Sequence, residues 1–246
     1  MRLPLFFVGL HIPKESYRFP RSMMSVNVLM KRQSRIQPQD WIMDSGAFTR
    51  ISGGNDHLPI SEYVSEIRRW SVCGNLVVAV SQDYMCEPFV LNVTGMTVKQ
   101  HQRLTIERYE DLIQYDLPTT IMPVLQGFEP SDYQRHIEQY ADLLEHGAWV
   151  GVGSICKRNA NPMLVRAVLE AIQVERPDLR LHGFGIKRTA LGIASINRML
   201  YSCDSMAWSF AARYEGRNSN DPEEALKYEH RLLGRAIQLE MFGNTK

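Results

Sequence analysis

Short apolar, β-branched segments recur along this chain, separated by stretches with helical periodicity. Eight can be marked: PLFFVGL (4–10), MSVNVLM (24–30), WIMD (41–44), NLVVAVSQD (75–83), TTIMPVLQG (119–127), WVGVGS (149–154), LRLHGFG (179–185) and YSCDSM (201–206). Strands that read as near-continuous apolar runs are buried on both faces, and strands alternating with helices build parallel sheets covered by helices. Eight such units in 246 residues fit one closed (β/α)8 barrel of the TIM type, which takes roughly 250 residues. The expectation is therefore an α/β chain forming a single barrel domain over 1–246. A doubly wound open sheet is the alternative, because periodicity does not show closure.

The intervening segments carry helix signals. In SDYQRHIEQYADLLEHG (131–147), Ser131 and Gln134 read as a capping box, Tyr133, Ile137, Tyr140 and Leu144 form an apolar stripe, and Gly147 is a stop. Asn161-Pro162 and Asp221-Pro222 are cap-plus-proline pairs, opening NPMLVRAVLEAIQ and DPEEALKYEHRLLGRAIQLEMF. SEYVSEIRRW, HQRLTIERYEDLI and TALGIASINRML are further helix candidates, whereas residues 11–40 are less regular.

Composition narrows the class. With 44% hydrophobic and 22% charged residues the chain is not of disordered type. Its apolar runs fall short of the roughly 20 residues of a membrane span, and MRLPLFFVGLHIP lacks a cleavage-like tail, so a cytoplasmic protein without membrane association is expected. Cys73, Cys86, Cys156 and Cys203 form no CxxC pair, which speaks against a zinc site or a disulfide framework and for buried thiols. A net charge of +1 excludes a coat of basic charge but leaves room for a local patch that binds phosphates.

In a barrel of this kind the chemistry sits at the C-terminal ends of the strands. Asp44, Asp83, Gln126, Gly153 and Asp204 end strands, and His182 lies in one, so closure would bring them to one mouth. Taken singly, each has a plainer reading: an acid after a strand is an N-cap or turn residue, and a lone histidine is a structural one. Taken jointly they suit nucleobase chemistry. Two carboxylates in one pocket allow covalent displacement at a sugar carbon, one as nucleophile and one moving the proton of the leaving group. A third carboxylate and an amide can read a base edge by hydrogen bonds.

DSGAFT, VLQGF, GVGSI, HGFGIK and SCDS, in that order, resemble the strand-end motifs of the tRNA-guanine transglycosylase superfamily from about residue 41 to 206. The resemblance implies a (β/α)8 barrel glycosyltransferase (a pentosyltransferase) that exchanges guanine in a nucleic acid for a 7-deazaguanine. It implies Asp204 as the nucleophile at C1′ and Asp44 as the general acid/base. Asp83, Gln126, Gly153 and Ser45 match substrate-binding positions, and Phe48 and His182 match the side chains that sandwich the base. The tRNA enzymes carry a CxCxxC-type zinc site after the nucleophile, and here no cysteine follows Cys203. The compact chain is thus more similar to the DNA 7-deazaguanine transglycosylases of the DpdA type, found in phages and bacterial DNA-modification systems. That likeness, and no single residue, carries the choice of DNA over tRNA.

The co-substrate implied is preQ0 or a similar base, with no other cofactor. A base within duplex DNA must leave the stack to be reached. Lys157, Arg158, Lys187, Arg188, Arg213 and Arg217 follow the last three strands and would share one rim of a barrel, so they are candidate phosphate contacts; ordinary solvated loop charge is the plain alternative. A chain this small has few insertions with which to separate strands, which makes a helicase-like or DNA-remodelling partner an expectation. The rival readings are exchange on tRNA, a non-catalytic nucleic-acid-binding barrel, and an unrelated phosphate-binding barrel enzyme. Against the second stand both carboxylates. Against a Schiff-base version of the third stands the lack of a lysine within the strands.

Overall fold

The computed structural model describes residues 3–242; the first two residues of MRLPLFFVGLHIP lie outside them. Nine parallel strands are formed: β1 (Leu5–Gly9), β2 (Arg21–Ser25), β3 (Asp40–Asp44), β4 (Asn75–Val80), β5 (Ile121–Met122), β6 (Val124–Leu125), β7 (Trp149–Val152), β8 (Arg180–Gly183) and β9 (Leu200–Ser205). The helices are α1 (Val26–Leu29), α2 (Ala47–Ile51), α3 (Ile60–Trp70), α4 (Pro88–Thr94), α5 (Val98–Ile113), α6 (Pro130–Tyr140), α7 (Pro162–Glu175), α8 (Arg188–Leu191), α9 (Ala194–Met199), α10 (Ala207–Tyr214) and α11 (Pro222–Phe242).

The sheet order is β5-β4-β3-β2-β1-β9-β8-β7-β6. Its two ends, β5 and β6, are halves of one expected strand, split where Pro123 supplies no N–H to the ladder. The ring is thereby carried through, since β5 pairs with β4 and β6 with β7. This is the TIM-type barrel that the alternation predicts. Its first and last strands meet as β1 and β9, with Phe7 opposite Asp204.

Period 2 along each strand sorts the side chains. Phe7, Met23, Ile42, Val78, Val80, Met122 and Val124 pack together as one cluster that fills the barrel. The alternate positions, Phe6, Val8, Met24, Trp41, Met43, Val150 and Leu181 among them, face the helices in a larger core. Trp41 is fully buried there and donates its Nε1–H to the Cys73 carbonyl at 2.8 Å, so its polar atom is satisfied and its apolar surface contributes about 2–3 kcal/mol. Because Ile42 points inward, Asp44 two residues on does too. The filled interior forms the floor beneath the polar strand ends.

Three local expectations are corrected. The second strand is Arg21–Ser25 and not 24–30, because Ser25 accepts the Asn27 N–H and opens α1. The cap of α6 is Glu129 with Asp132, two residues before Ser131 and Gln134, and the helix ends at Tyr140; Ala141 then takes φ 46°. TALGIASINRML breaks into α8 and α9 around Gly192-Ile193. Asn161 caps α7 as expected, accepting from Met163 N–H. Asp221 likewise accepts from Glu223 N–H at 3.0 Å ahead of α11. Among the described residues no helix is long and apolar enough to cross a membrane.

Candidate active site

A cavity of about 400 Å³ opens at the C-terminal mouth of the barrel. Asp44, Asp83, Gln126, Gly153, Asp204 and Phe48 line it, so residues from 44 to 204 meet in one space. His11, Glu87, Ser154, Cys156 and Phe184 line it as well, and sequence reasoning had not put them there.

Asp44 ends β3 where Gly46 turns the chain with φ 74°. That turn aims the Gly46 N–H at Asp44 Oδ2, 3.0 Å away, while Asn27 Nδ2 donates to the Gly46 carbonyl at 3.0 Å. Burial, helped by the nearby Asp204 charge and opposed by the Gly46 and Ser25 hydrogen bonds, pushes the Asp44 carboxyl up to about 6. A carboxyl poised there can both give and take a proton near neutrality.

Asp83 follows β4, the strand next to the one that bears Asp44. Gln126 Nε2 donates to Asp83 Oδ2, and Ser45 Oγ stands 3.5 Å from Oδ1. Burial raises its carboxyl to about 7, opposed by the Gln126 bond and helped by the Asp44 and Glu87 charges. The backbone on either side is fixed by buried neutral histidines. His57 donates from Nε2 to the Asp83 carbonyl at 2.9 Å, and His136 Nδ1 accepts the Gln126 N–H at 2.9 Å. Burial lowers these imidazoles to about 4 and about 3 respectively.

Gln126 is therefore oriented at both ends. Its Oε1 lies 2.7 Å from Ser154 Oγ, whose single hydrogen is shared with Glu87 Oε2 at 2.8 Å. One amide hydrogen on Nε2 is left for a ligand. Gly153 contributes space, since a Cβ there would stand 2.1 Å from Gln126 Nε2. Its N–H is taken by the Leu125 carbonyl at 2.9 Å and its carbonyl accepts from Tyr133 OH at 2.7 Å, so what Gly153 can still offer a base is the second lone pair of that carbonyl.

Two expected base contacts stand elsewhere. His182 is fully buried below the cavity, ringed by Phe7, Trp149 and Phe184, and presents no ring face to a ligand. Phe184, two residues along, lines the cavity in its place. The period of 2 in β8 is the physical reason: His182 points into the filled interior, and the next inward position is the one at the mouth. The motif HGFG offered Phe184 as a signal. Ser45 is also fully buried, turned toward Asp83 rather than the cavity.

The six cations divide. Lys157 lies over the Phe48 ring, 5.2 Å from its centroid, at the edge of the cavity. Phe48 is 44% exposed and meets Phe89 edge to face. Lys187 stacks over Phe210 at 5.6 Å, Arg188 is exposed, and the exposed Arg213 lies close enough to His11 to lower that imidazole together with burial, which is the larger cause. Arg158 turns inward over Phe128, 4.5 Å from the ring centroid. Arg217 is paired with Glu215 and with Glu224. Arg158 is thus half-buried against Phe128 and Arg217 is neutralised by two carboxylates, so neither stands as an open phosphate contact.

A TIM-type barrel with carboxylates, an amide and aromatic faces gathered at its C-terminal mouth is the layout of an enzyme. The chain belongs to the family DpdA, DeoxyPurine in DNA protein A, which it matches over residues 8–226. Membership implies a transglycosylase-type enzyme of DNA modification, with DNA as its substrate. No curated protein matches the chain.

Proposed function

We propose that the chain replaces guanine in DNA with a 7-deazaguanine such as preQ0, through a covalent bond between Asp204 and the deoxyribose. The observation that carries this is the convergence of Asp44, Asp83, Gln126 and Asp204 on one cavity in a chain of this family. Asp204 attacks C1′ as the bond from C1′ to guanine breaks, and guanine leaves with a proton from Asp44. The incoming base then gives a proton to Asp44 and attacks C1′, and the electron pair of the ester bond returns to Asp204. Such a double displacement retains configuration at the sugar.

Base recognition follows from the same geometry. Asp83 accepts from N–H groups on the pairing edge of guanine or its analogue, and the remaining Gln126 amide hydrogen donates to the exocyclic oxygen. Phe48 and Phe184 offer the two ring faces, offsetting the few kcal/mol needed to take a nucleotide out of the stack. Lys157, beside Phe48, holds the adjoining phosphate.

The test is incubation with guanine-containing DNA and preQ0, with a tRNA control, followed by digestion and mass spectrometry of the nucleosides. Deazaguanine in DNA that is absent with Asp204→Asn is the expected result. Product in tRNA alone would transfer the reaction to tRNA, and a folded protein giving no product on either would refute the exchange.

A further inference from the structure

Beneath Asp204 the barrel interior holds a polar chain that the exchange reading leaves unused. Trp149 donates from Nε1 to Ser202 Oγ at 2.8 Å, Ser202 Oγ lies 2.8 Å from His182 Nδ1, and His182 Nε2 lies 3.4 Å from Asp204 Oδ1. His182 and Ser202 are fully buried. The rings of Phe7, Trp149 and Phe184 have their centroids 4.9 to 6.2 Å from that of the imidazole, which fixes its plane. His182 Nε2 has no hydrogen-bond partner among the described residues. The oxygen it faces, Asp204 Oδ1, already accepts from Gly185 N–H at 2.9 Å.

The tautomer follows from counting hydrogens. Indole is a donor only, so Trp149 occupies a lone pair of Ser202 Oγ. The one acceptor recorded for the Ser202 hydroxyl among the described residues is His182 Nδ1. The hydrogen of the imidazole is then on Nε2, directed at Asp204. The opposite tautomer would set a nitrogen lone pair against a carboxylate oxygen beside the fully buried imidazole, where the low local dielectric makes that repulsion strong.

We propose that His182, held as this tautomer by Ser202 and Trp149, is a positioning residue for the departure of Asp204 from the sugar, with Oδ1 the supported oxygen and Oδ2 the one that bonds C1′. The inference rests on the role of Asp204 proposed above. The carboxylate gives up its charge when the bond from Oδ2 to C1′ forms. It regains that charge when the incoming base attacks C1′ and the electron pair returns to Oδ2. An N–H aimed at Oδ1 stabilises the carboxylate relative to the ester, and a small rotation of the Asp204 side chain completes the bond. Losing the donor slows the second displacement more than the first, so the covalent species accumulates. Hydrogen bonds to charged groups are worth roughly ten- to hundredfold in such an equilibrium.

The experiment follows one turnover of DNA and preQ0 with the wild-type protein, His182→Leu and His182→Gln, counting denaturant-stable protein–DNA adduct and exchanged product separately. In His182→Leu the adduct should rise while product formation falls about ten- to hundredfold, with the KM for preQ0 near the wild-type value; His182→Gln, which restores an N–H donor, should lie between. An adduct no higher than wild type in His182→Leu, or a glutamine variant no better than leucine, overturns the proposal. Nitrogen NMR of the resting wild-type protein is independent of turnover and of any variant's folding: a neutral imidazole protonated on Nε2 is expected, and either the Nδ1 tautomer or an imidazolium overturns it. A wild-type protein that forms neither adduct nor product instead overturns the exchange reading, and this inference with it.

Discussion

Among the carboxyls of the described residues Asp83 is held furthest above its free form. A carboxyl whose folded pKa of about 7 exceeds its unfolded value binds a proton in the folded chain that the unfolded chain has released. The stability that Asp83 contributes therefore falls as pH rises from about 4 to about 7, by about 1.4 kcal/mol per unit for one proton, and levels off above, on top of the opposite slope contributed by the buried His57 and His136. Asp83→Asn lacks this titration. The melting temperature of the wild-type protein minus that of the variant should be largest near pH 4.5 and shrink toward pH 7.5; a difference constant across that range would contradict the burial argument. At the same scale, Phe184→Ala removes one stacking face, and the KM for the incoming base should rise roughly tenfold or more at a temperature well below the melting point, which itself falls because Phe184 also packs on the barrel interior and on His182; steady-state kinetics alongside calorimetry separate the two effects. Asp44, Asp83, Gln126 and Asp204 were legible as strand-ending polar residues, since a polar side chain after an apolar run is a strong local signal. Glu87 was not, because a glutamate before Pro88 looks like a helix start, and only the fold brings it 2.8 Å from Ser154.

At the scale of elements, the turn after β3 decides where Asp44 points. Gly46 has φ 74°, and a Cβ there would stand 2.3 Å from Asn27 Nδ2. Gly46→Ala should cost about 1–3 kcal/mol, from left-handed strain and the displaced Asn27, and should lower exchange more than the lost stability explains, because the N–H that aims Asp44 moves. Denaturant titration and a rate measured well below the melting temperature separate the two effects. Element positions were readable wherever apolar period and caps agreed, as in α7 with Asn161-Pro162. They were misread where a side chain overrode the pattern. Ser25 caps a helix inside MSVNVLM, and Pro123 divides TTIMPVLQG without ending its path through the ring. In both places a single hydrogen-bonding property outweighs the hydrophobicity of its neighbours.

For the whole molecule, charge placement matters more than the net value of +1. DNA binding should weaken with salt in proportion to the phosphates contacted, with each contact adding about 0.9 to the slope of log affinity on log salt. Lys157→Ala should lower that slope by about one contact. Arg217→Ala should leave it unchanged, because that guanidinium is already held by Glu215 and Glu224. Binding isotherms at several salt concentrations give both slopes, and equal losses in the two variants would contradict the assignment.

The placement of β9 between β1 and β8 also sets an order in time. During synthesis Asp44, Asp83, Gln126 and the cations after β7 and β8 all emerge before residues 200–205. The strand that bears Asp204, the proposed nucleophile, is the one that seals the cylinder, so on that proposal a nascent chain holds no complete site until its architecture is nearly finished. A ribosome-bound intermediate of this protein would be chemically silent toward DNA, and reactivity would arrive together with closure.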